Sequence, residues 1–173
     1  MQSPLQSKTL SIDPASSTGF SIFQGKSLIK CGVFKPSGEL NTKLFKIFNF
    51  FTDLCVSEGI DRIVVEDFKV GKFAGAAESG YAIRAMFRLL SETLKIPHTV
   101  VNISCWHKCI IGKTRATKAD KKLYGVNAIK ELVKLEVLVK VEVPEKCLNY
   151  ASGREMVTPY DVYDSIGIFL ASS

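Results

Sequence analysis

Four acidic residues occupy positions where the surrounding sequence predicts buried structure. Asp13 closes the apolar segment TLSID, Glu66 follows the β-branched run RIVV, and Asp161 and Asp164 lie three residues apart in the last helical pattern. A spacing of three puts two side chains on one face of a helix. Taken singly, an Asp at a strand end forms turns, and a pair of acids near a helix N-terminus complements the helix dipole. The prediction of a functional site therefore rests on the presence of all four acids and on their order along the chain.

Carboxylates that converge in a buried place need positive charge among them, because burying an unpaired carboxylate is costly and like charges repel. No Arg or Lys is obliged by the sequence to provide that charge. Mg²⁺ takes a few carboxylates together with water and phosphate oxygens as ligands, and two such ions can activate a water and stabilise a leaving 3′ oxygen. The acids therefore predict a hydrolytic site that holds two divalent cations.

A basic segment separates Glu66 from the last two acids. The stretch HKCIIGKTRATKADKK contains one acid, Asp120, among its basic residues Lys108, Lys113, Arg115, Lys118, Lys121 and Lys122. A run of this kind forms either a solvated face or a surface that binds phosphate groups. The whole chain has 23 Lys and Arg against 17 Asp and Glu, a formal charge of +6. That charge is compatible with a nucleic-acid partner and also with ordinary modest basicity.

Length and composition favour one folded domain that spans residues 1–173. Of the 173 residues, 46% are hydrophobic and 23% are charged, as is typical of globular proteins, and no apolar run is long enough to cross a bilayer. The N-terminal residues lack the basic and apolar regions of a secretory signal, so we expect a cytoplasmic protein. The five cysteines are scattered along the chain, which favours reduced thiols over a disulfide framework.

Hydrophobic periodicity predicts three strands followed by alternating helices and strands. The strands TLSID, GFSIFQG and LIKCGVFK come first, and PASST joins the first two as a hairpin. Helices are predicted at about residues 38–59, in AGAAESGYAIRAMFRLLSETL, at about residues 119–135, and in TPYDVYDSIGIFLAS with Thr158 as its N-cap. The segments DRIVVEDF, TVVNI and VLVKVEV are predicted as further strands. This order of elements predicts an α/β fold with a mixed sheet.

The segment CWHKC would place Cys105, His107 and Cys109 on one side of an extended chain, which could begin a zinc site. Structural zinc takes four ligands, so one of the other cysteines would have to complete it. Buried thiols beside Trp106 are the simpler interpretation.

Four segments of the chain, SIDPASSTGFSIF, IVVEDF, GKTRATKADK and DVYDSIGIFLA, resemble the RuvC-type Holliday-junction resolvases of the RNase H-like superfamily. They occur in the family's order, and the resemblance spans nearly the whole chain. It implies an RNase H-like α/β fold with a mixed five-stranded sheet flanked by helices. It also implies a homodimeric endonuclease that cuts four-way DNA junctions by paired symmetric nicks and uses two Mg²⁺ ions per active site, for which Mn²⁺ can substitute.

The resemblance also assigns roles to individual residues. The four acids would be the catalytic, metal-binding residues. The basic segment would contact DNA and would carry a lysine near the scissile phosphate, with Lys118 as first choice and Lys121 as second. An aromatic residue soon after the Glu66 strand helps to open the junction in relatives. Phe68 and Phe73 are the candidates for that role, and packing in the core is the better interpretation of Phe68.

The chain also departs from the bacterial pattern of this family. Ala15 stands where the bacterial enzymes have Gly after Asp-Pro, and the bulky Val162 and Tyr163 replace small residues between the last two acids. The segment at about residues 136–156 is longer than in the compact bacterial form. These differences favour a divergent branch, such as a phage-encoded one.

Two other classes of function stay open at this point. A flap nuclease or an RNase H of the same fold would keep the acids and change the basic loop. A non-catalytic module that binds branched DNA is disfavoured, because four acids in a DNA-facing cleft would weaken binding in the absence of metal.

Overall fold

The computed structural model describes residues 7–67, 74–113, 115, 117, 119 and 144–172, apart from the side chains of residues 74–77, 109 and 110. The strands in this part of the chain are β1 (Lys8–Asp13), β2 (Thr18–Gln24), β3 (Ser27–Phe34), β4 (Arg62–Asp67), β5 (His98–Asn102), β6 (Lys146–Asn149) and β7 (Arg154–Val157). The helices are α1 (Leu40–Glu58), α2 (Ala74–Leu94), α3 (Ile103–Ile111) and α4 (Tyr160–Ala171). The predicted strand VLVKVEV and, apart from Ala119, the predicted helix at residues 119–135 lie outside the described residues.

Within the described ranges, the strands form one mixed seven-stranded sheet in the order β5, β4, β1, β2, β3, β6, β7. β1, β2 and β3 are antiparallel neighbours, whereas β4 runs parallel to β1 and β5 runs parallel to β4. β6 adds to β3 in parallel, and β7 returns antiparallel to β6. The predicted α/β fold with a mixed sheet is therefore confirmed, and the predicted count of five strands is wrong.

The two additional strands, β6 and β7, form a short hairpin at the edge of the sheet. Each has four residues, and all of their side chains except Cys147 are at least partly exposed. Their sequences therefore lack the alternation of apolar and polar residues that predicts a strand. The hairpin joins β3 where Asn149 pairs with Val33, and next to this pair the Tyr150 ring lies against Gly32, where an added Cβ would stand 2.6 Å from the ring.

The sheet lies between two layers of helices. Successive side chains of a strand point to opposite faces of the sheet, so neighbouring residues of one strand contact different layers. Ile63 and Val65 of β4 belong to the core beneath α1 and α2. Val64, which lies between them, packs instead with Trp106 of α3 and Ile168 of α4. One face of the sheet is therefore covered by α1 and α2, and the other by α3 and α4.

The two long helices follow their predicted patterns. α1 lies within the predicted range and ends at Gly59, whose φ of 64° is the left-handed conformation that glycine adopts without steric cost. α1 and α2 meet through Phe51 and Phe87, whose ring centroids are 5.0 Å apart in an edge-to-face arrangement. This geometry is a favourable one for aromatic pairs.

The CWHKC segment is helical and not extended, since it lies within α3. The zinc hypothesis depended on an extended segment, in which alternate side chains share a face, and α3 does not have that geometry. Cys105 is exposed, so the interpretation of buried thiols is wrong for this residue, whereas Trp106 and His107 are buried. Nine residues of mixed apolar and polar character fit a short strand or a short helix equally well, which is why the pattern misled.

The start of α4 also differs from its prediction by one residue. Pro159 is the N-cap, and Tyr160 is the first helical residue. The Thr158 hydroxyl does not cap the helix but donates a hydrogen bond to the Pro144 carbonyl, at 2.5 Å. Thr158 therefore ties the beginning of α4 to the chain that leads into β6.

The described cysteines Cys31, Cys55, Cys105 and Cys147 are free thiols, as predicted. Burial raises the pKa of Cys31 to about 11 and that of Cys55 to about 12, so both thiols stay protonated and unreactive at neutral pH. None of the described helices is long and apolar enough to cross a membrane.

Candidate active site

The first two acids lie at the C-terminal ends of adjacent strands, since Asp13 is the last residue of β1 and Glu66 is the last but one of β4. β1 and β4 are parallel, with Ile12 paired to Val65, so Asp13 and Glu66 are the next residues on neighbouring strands. Both side chains are half-buried. The rigid hydrogen-bonded sheet thus fixes the backbones of these two carboxylates side by side.

Both carboxylates lie on the face of the sheet that α4 covers. Ser11, two residues before Asp13, donates a hydrogen bond from its hydroxyl to the Ser165 carbonyl of α4, at 2.6 Å. Val64, two residues before Glu66, packs in the cluster that contains residues of α3 and α4. Because residues two apart in a strand share a face, Asp13 and Glu66 are directed toward the layer that carries the other two acids.

Small residues allow α4 to approach the sheet closely at this edge. Gly19 of β2 is paired with Asp13, and a Cβ at Gly19 would stand 2.2 Å from the backbone carbonyl carbon and oxygen of Asp161. Farther along α4, the buried Ser165 hydroxyl is hydrogen-bonded to the hydroxyl of Ser21 in β2, at 3.0 Å. Only residues as small as Gly and Ser leave room for this contact, which brings the first turn of α4 beside the end of β1.

Asp161 and Asp164 occupy the N-terminal half of α4. Asp161 is in the first turn, where the unpaired backbone N–H groups favour a carboxylate, and Asp164 is buried. Between them, Val162 is fully buried in a cluster with Phe23 and Val33. The bulky residue that departs from the family pattern is therefore a core residue on another side of the helix, and it leaves the spacing of the two acids intact.

Trp106 is a residue of this edge that sequence reasoning did not assign to the site. Its indole nitrogen Nε1 donates a hydrogen bond to Glu66 Oε1, and the side chain is buried. The signal that could have found it is general, because a buried indole N–H nearly always has an acceptor. The identity of that acceptor was not visible, since the two residues are 40 positions apart.

The four acids have the donor chemistry of a site for a hard divalent cation, because Mg²⁺ prefers carboxylate oxygens. As the side chains stand, the described part of the chain contains no group of three or more His, Cys, Asp or Glu residues that could hold a metal ion. The backbone thus brings Asp13, Glu66, Asp161 and Asp164 to one edge, and their side chains would have to turn toward a common point. The residues fit such a cation by donor type and by backbone placement.

The structure describes part of the predicted DNA-binding segment. Lys108, in the last turn of α3, and Lys113 and Arg115, which follow it, are exposed. α3 begins directly after β5, whose last residue pairs with Asp67 of β4, so this helix starts at the same edge as the acids. Lys118, Lys121, Lys122, Phe68 and Phe73 lie outside the described residues, and their roles stay predictions.

A groove of about 430 Å³ lies away from the acids, between α2 and β5. Its lining includes Arg84, Arg88, Glu92 and His98, and Arg84 is ion-paired with Asp67 at the end of β4. Burial, followed by the charges of the two arginines, lowers the pKa of His98. His98 is therefore neutral at pH 7, and the charge of the groove comes from its other side chains.

Comparisons with known proteins identify the fold. No family model and no curated protein matches the chain by sequence. Among solved structures, RuvC from T. thermophilus in complex with a Holliday junction substrate matches with a TM-score of 0.71 and 14% identity, over 95% of this chain and 92% of that one. A second structure, of Thermus thermophilus RuvC, matches with a TM-score of 0.66 and 13% identity over the same shares. The yeast mitochondrial Holliday junction resolvase Ydc2 matches with a TM-score of 0.60 and 13% identity, over 98% of this chain and 79% of that one.

The chain therefore has the RNase H-like fold of the RuvC-type resolvases, at low sequence identity. The predicted resemblance to this group is confirmed at the level of the fold.

Proposed function

We propose that this protein is a divalent-metal-dependent endonuclease that resolves four-way DNA junctions. The observation that supports this most is the contact of Gly19 with Asp161, because it puts the first turn of α4 beside the strand ends that carry Asp13 and Glu66. The same fold is found in RuvC bound to a Holliday junction substrate. Together these observations favour an enzyme that cuts DNA junctions with these acids.

In this proposal Asp13, Glu66, Asp161 and Asp164 hold two Mg²⁺ ions, with Mn²⁺ as a substitute. The cations would supply an activated water and stabilise the departing 3′ oxygen, so that hydrolysis leaves a 5′ phosphate and a 3′ hydroxyl. The sheet and α4 contribute rigidity, because carboxylates on packed elements are positioned before the substrate binds. Lys118, or else Lys121, would lie near the scissile phosphate and neutralise charge that develops on it.

The basic segment would hold the DNA. Lys108, Lys113 and Arg115 are exposed at and after the end of α3, the helix that begins next to the last residue of β4, and Lys121 and Lys122 extend the run of positive charge. Phosphate contacts of this kind make affinity depend strongly on salt. Phe73 would stack into the opened junction, as an aromatic side chain does on an unpaired base.

A homodimer is part of the proposal, because a junction with two-fold symmetry needs two cuts related by that symmetry. The helices that cover the face away from the acids leave large apolar side chains exposed, among them Phe45 and Val56 of α1 and Leu89 of α2. Such exposed apolar residues are available for contact with a second subunit.

A panel of DNA substrates tests the proposal. With Mg²⁺, we expect the protein to cut a labelled four-way junction at least about tenfold faster than a flap, an RNA–DNA hybrid or a linear duplex, a difference of about 1.4 kcal/mol in activation free energy. Chelation of the cation should stop all cleavage. Faster cleavage of the flap or of the hybrid would make the protein a same-fold nuclease with another substrate. Tight, cation-independent junction binding with no cleavage under any divalent ion would make it a binding module.

Neutralising Lys118 should slow chemistry more than it weakens binding. For Lys118→Ala we expect a loss of about a hundredfold in the single-turnover rate, the size expected when a charge-stabilising group is removed, with only a modest change in junction affinity. The matched control is Lys26→Ala, since Lys26 is exposed in the turn between β2 and β3. This turn lies at the ends of the strands opposite to those that carry the acids. A large loss of affinity at an unchanged rate would instead make Lys118 a residue that positions DNA.

A further inference from the structure

Trp106 connects two of the three elements that carry the acids, namely β4 and α4. Its indole N–H donates to the Glu66 carboxylate at the end of β4. The indole ring lies against Gly167 of α4, where an added Cβ would stand 2.7 Å from the ring atom Cε3. Gly167 and Asp164 are three residues apart in α4 and so share a side of that helix. One buried side chain therefore touches the strand of Glu66 and the helix of Asp164.

We propose that Trp106 is a positioning residue that fixes the Glu66 carboxylate relative to α4. This inference rests on the proposed function, in which Glu66 binds a cation. A free Glu side chain rotates about three bonds, and an outer hydrogen-bond donor restricts that rotation, as partners of metal-binding carboxylates commonly do. The indole itself is buried and packs in a cluster with Val64 and Ile168. Trp106 thus holds the Glu66 carboxylate at a defined place relative to α4.

The chain contains a single tryptophan, so tryptophan emission reports on the surroundings of this one indole. Cation binding at Glu66 would change the effective charge of the carboxylate that accepts the hydrogen bond from the indole N–H. The emission of Trp106 should therefore change on cation binding even without DNA and without any cleavage.

The first test is a titration of DNA-free protein with Mg²⁺, followed by tryptophan emission. We expect a saturable change in the wild-type protein that is lost in Glu66→Gln, which keeps an oxygen acceptor for the indole and removes the charge. The proposal is wrong if the wild-type emission does not respond, or if Glu66→Gln responds in the same way as the wild type. This readout does not depend on catalysis, so it remains informative if the protein cuts no junction.

The second test removes the donor and keeps an aromatic ring. For Trp106→Phe we expect the single-turnover rate to fall by about 10- to 100-fold, the range seen for outer partners of metal ligands. The Mg²⁺ concentration for half-maximal rate should rise, and cation-free junction binding should stay unchanged. A purely structural role would lower thermal stability without altering the Mg²⁺ dependence.

Ile168→Val is the matched control, since Ile168 packs in the same cluster and loses only one methylene-sized group. We expect a lower melting temperature for this variant with the wild-type rate and Mg²⁺ dependence. The inference is overturned if Trp106→Phe keeps the wild-type Mg²⁺ dependence, or if Ile168→Val shifts it equally. If the wild-type protein cuts no junction, the proposed function fails, and the emission titration decides the role of Trp106 separately.

Discussion

Asp13→Asn is expected to lower the single-turnover rate of junction cleavage by about a thousandfold or more. Asp13 ends β1 next to Glu66 and is paired with the glycine that α4 contacts, so it lies between the other acids of the proposed site. The amide keeps the shape of the side chain and removes its charge. Loss of charge at a cation ligand removes several kcal/mol of transition-state stabilisation, and each 1.4 kcal/mol is about tenfold in rate.

Junction binding should survive this substitution. Removing a negative charge beside phosphate groups favours DNA binding in the absence of cation, so the affinity of Asp13→Asn should equal or exceed that of the wild type. Asp53→Asn is the matched control, because Asp53 is exposed on α1, which covers the opposite face. A rate for Asp13→Asn within about tenfold of the control would remove Asp13 from the proposed cation site.

Gly19→Ala is expected to be nearly as damaging, although the glycine has no functional group. The added Cβ would stand 2.2 Å from backbone atoms of Asp161, and a helix backbone cannot move away as the tip of a side chain can. Overpacking of this kind typically costs about 1–3 kcal/mol of stability. The displaced α4 would also carry its acids away from the end of β1, and a misplacement of about 1 Å can cost about a hundredfold in rate.

Gly32→Ala separates the two effects of the Gly19 substitution. At Gly32 the closest atom to an added Cβ belongs to the Tyr150 ring, at 2.6 Å, and the contact is on the hairpin side of the sheet. Both variants should unfold at lower temperature than the wild type. Only Gly19→Ala should lose cleavage at a temperature where both proteins are folded, and equal activities would show that α4 does not position the acids.

The elements with strong periodicity were predictable from the sequence. β1, β4 and α1 show their type through alternating or helical apolar spacing, and each acid stands at the end of an element or within its first turns. That is why the four candidate residues could be chosen before the fold was known. The mixed sheet followed from the order of strands and helices.

The other features of the fold and of the candidate site depend on contacts between residues that are far apart in the chain. Gly19 and Gly167 look like ordinary small residues until the backbone of α4 and the ring of Trp106 are placed against them. The indole N–H of Trp106 finds its acceptor 40 residues away. β6 and β7 lie at an exposed edge and show no clear periodicity, and the hairpin joins the sheet through the pairing of Asn149 with Val33, which is distant in the chain. No local pattern encodes these relations.

Cleavage of a supercoiled plasmid that extrudes a cruciform tests the central claim most directly. Two coordinated cuts across one junction convert the plasmid to a linear form, whereas a single cut leaves a nicked circle. With Mg²⁺ we predict that the wild-type protein yields linear plasmid with 5′ phosphates at symmetric positions, and that Asp13→Asn yields neither product. Nicked circles without linear product, or linear product that persists in Asp13→Asn, would contradict a paired cut made by the proposed site of Asp13, Glu66, Asp161 and Asp164.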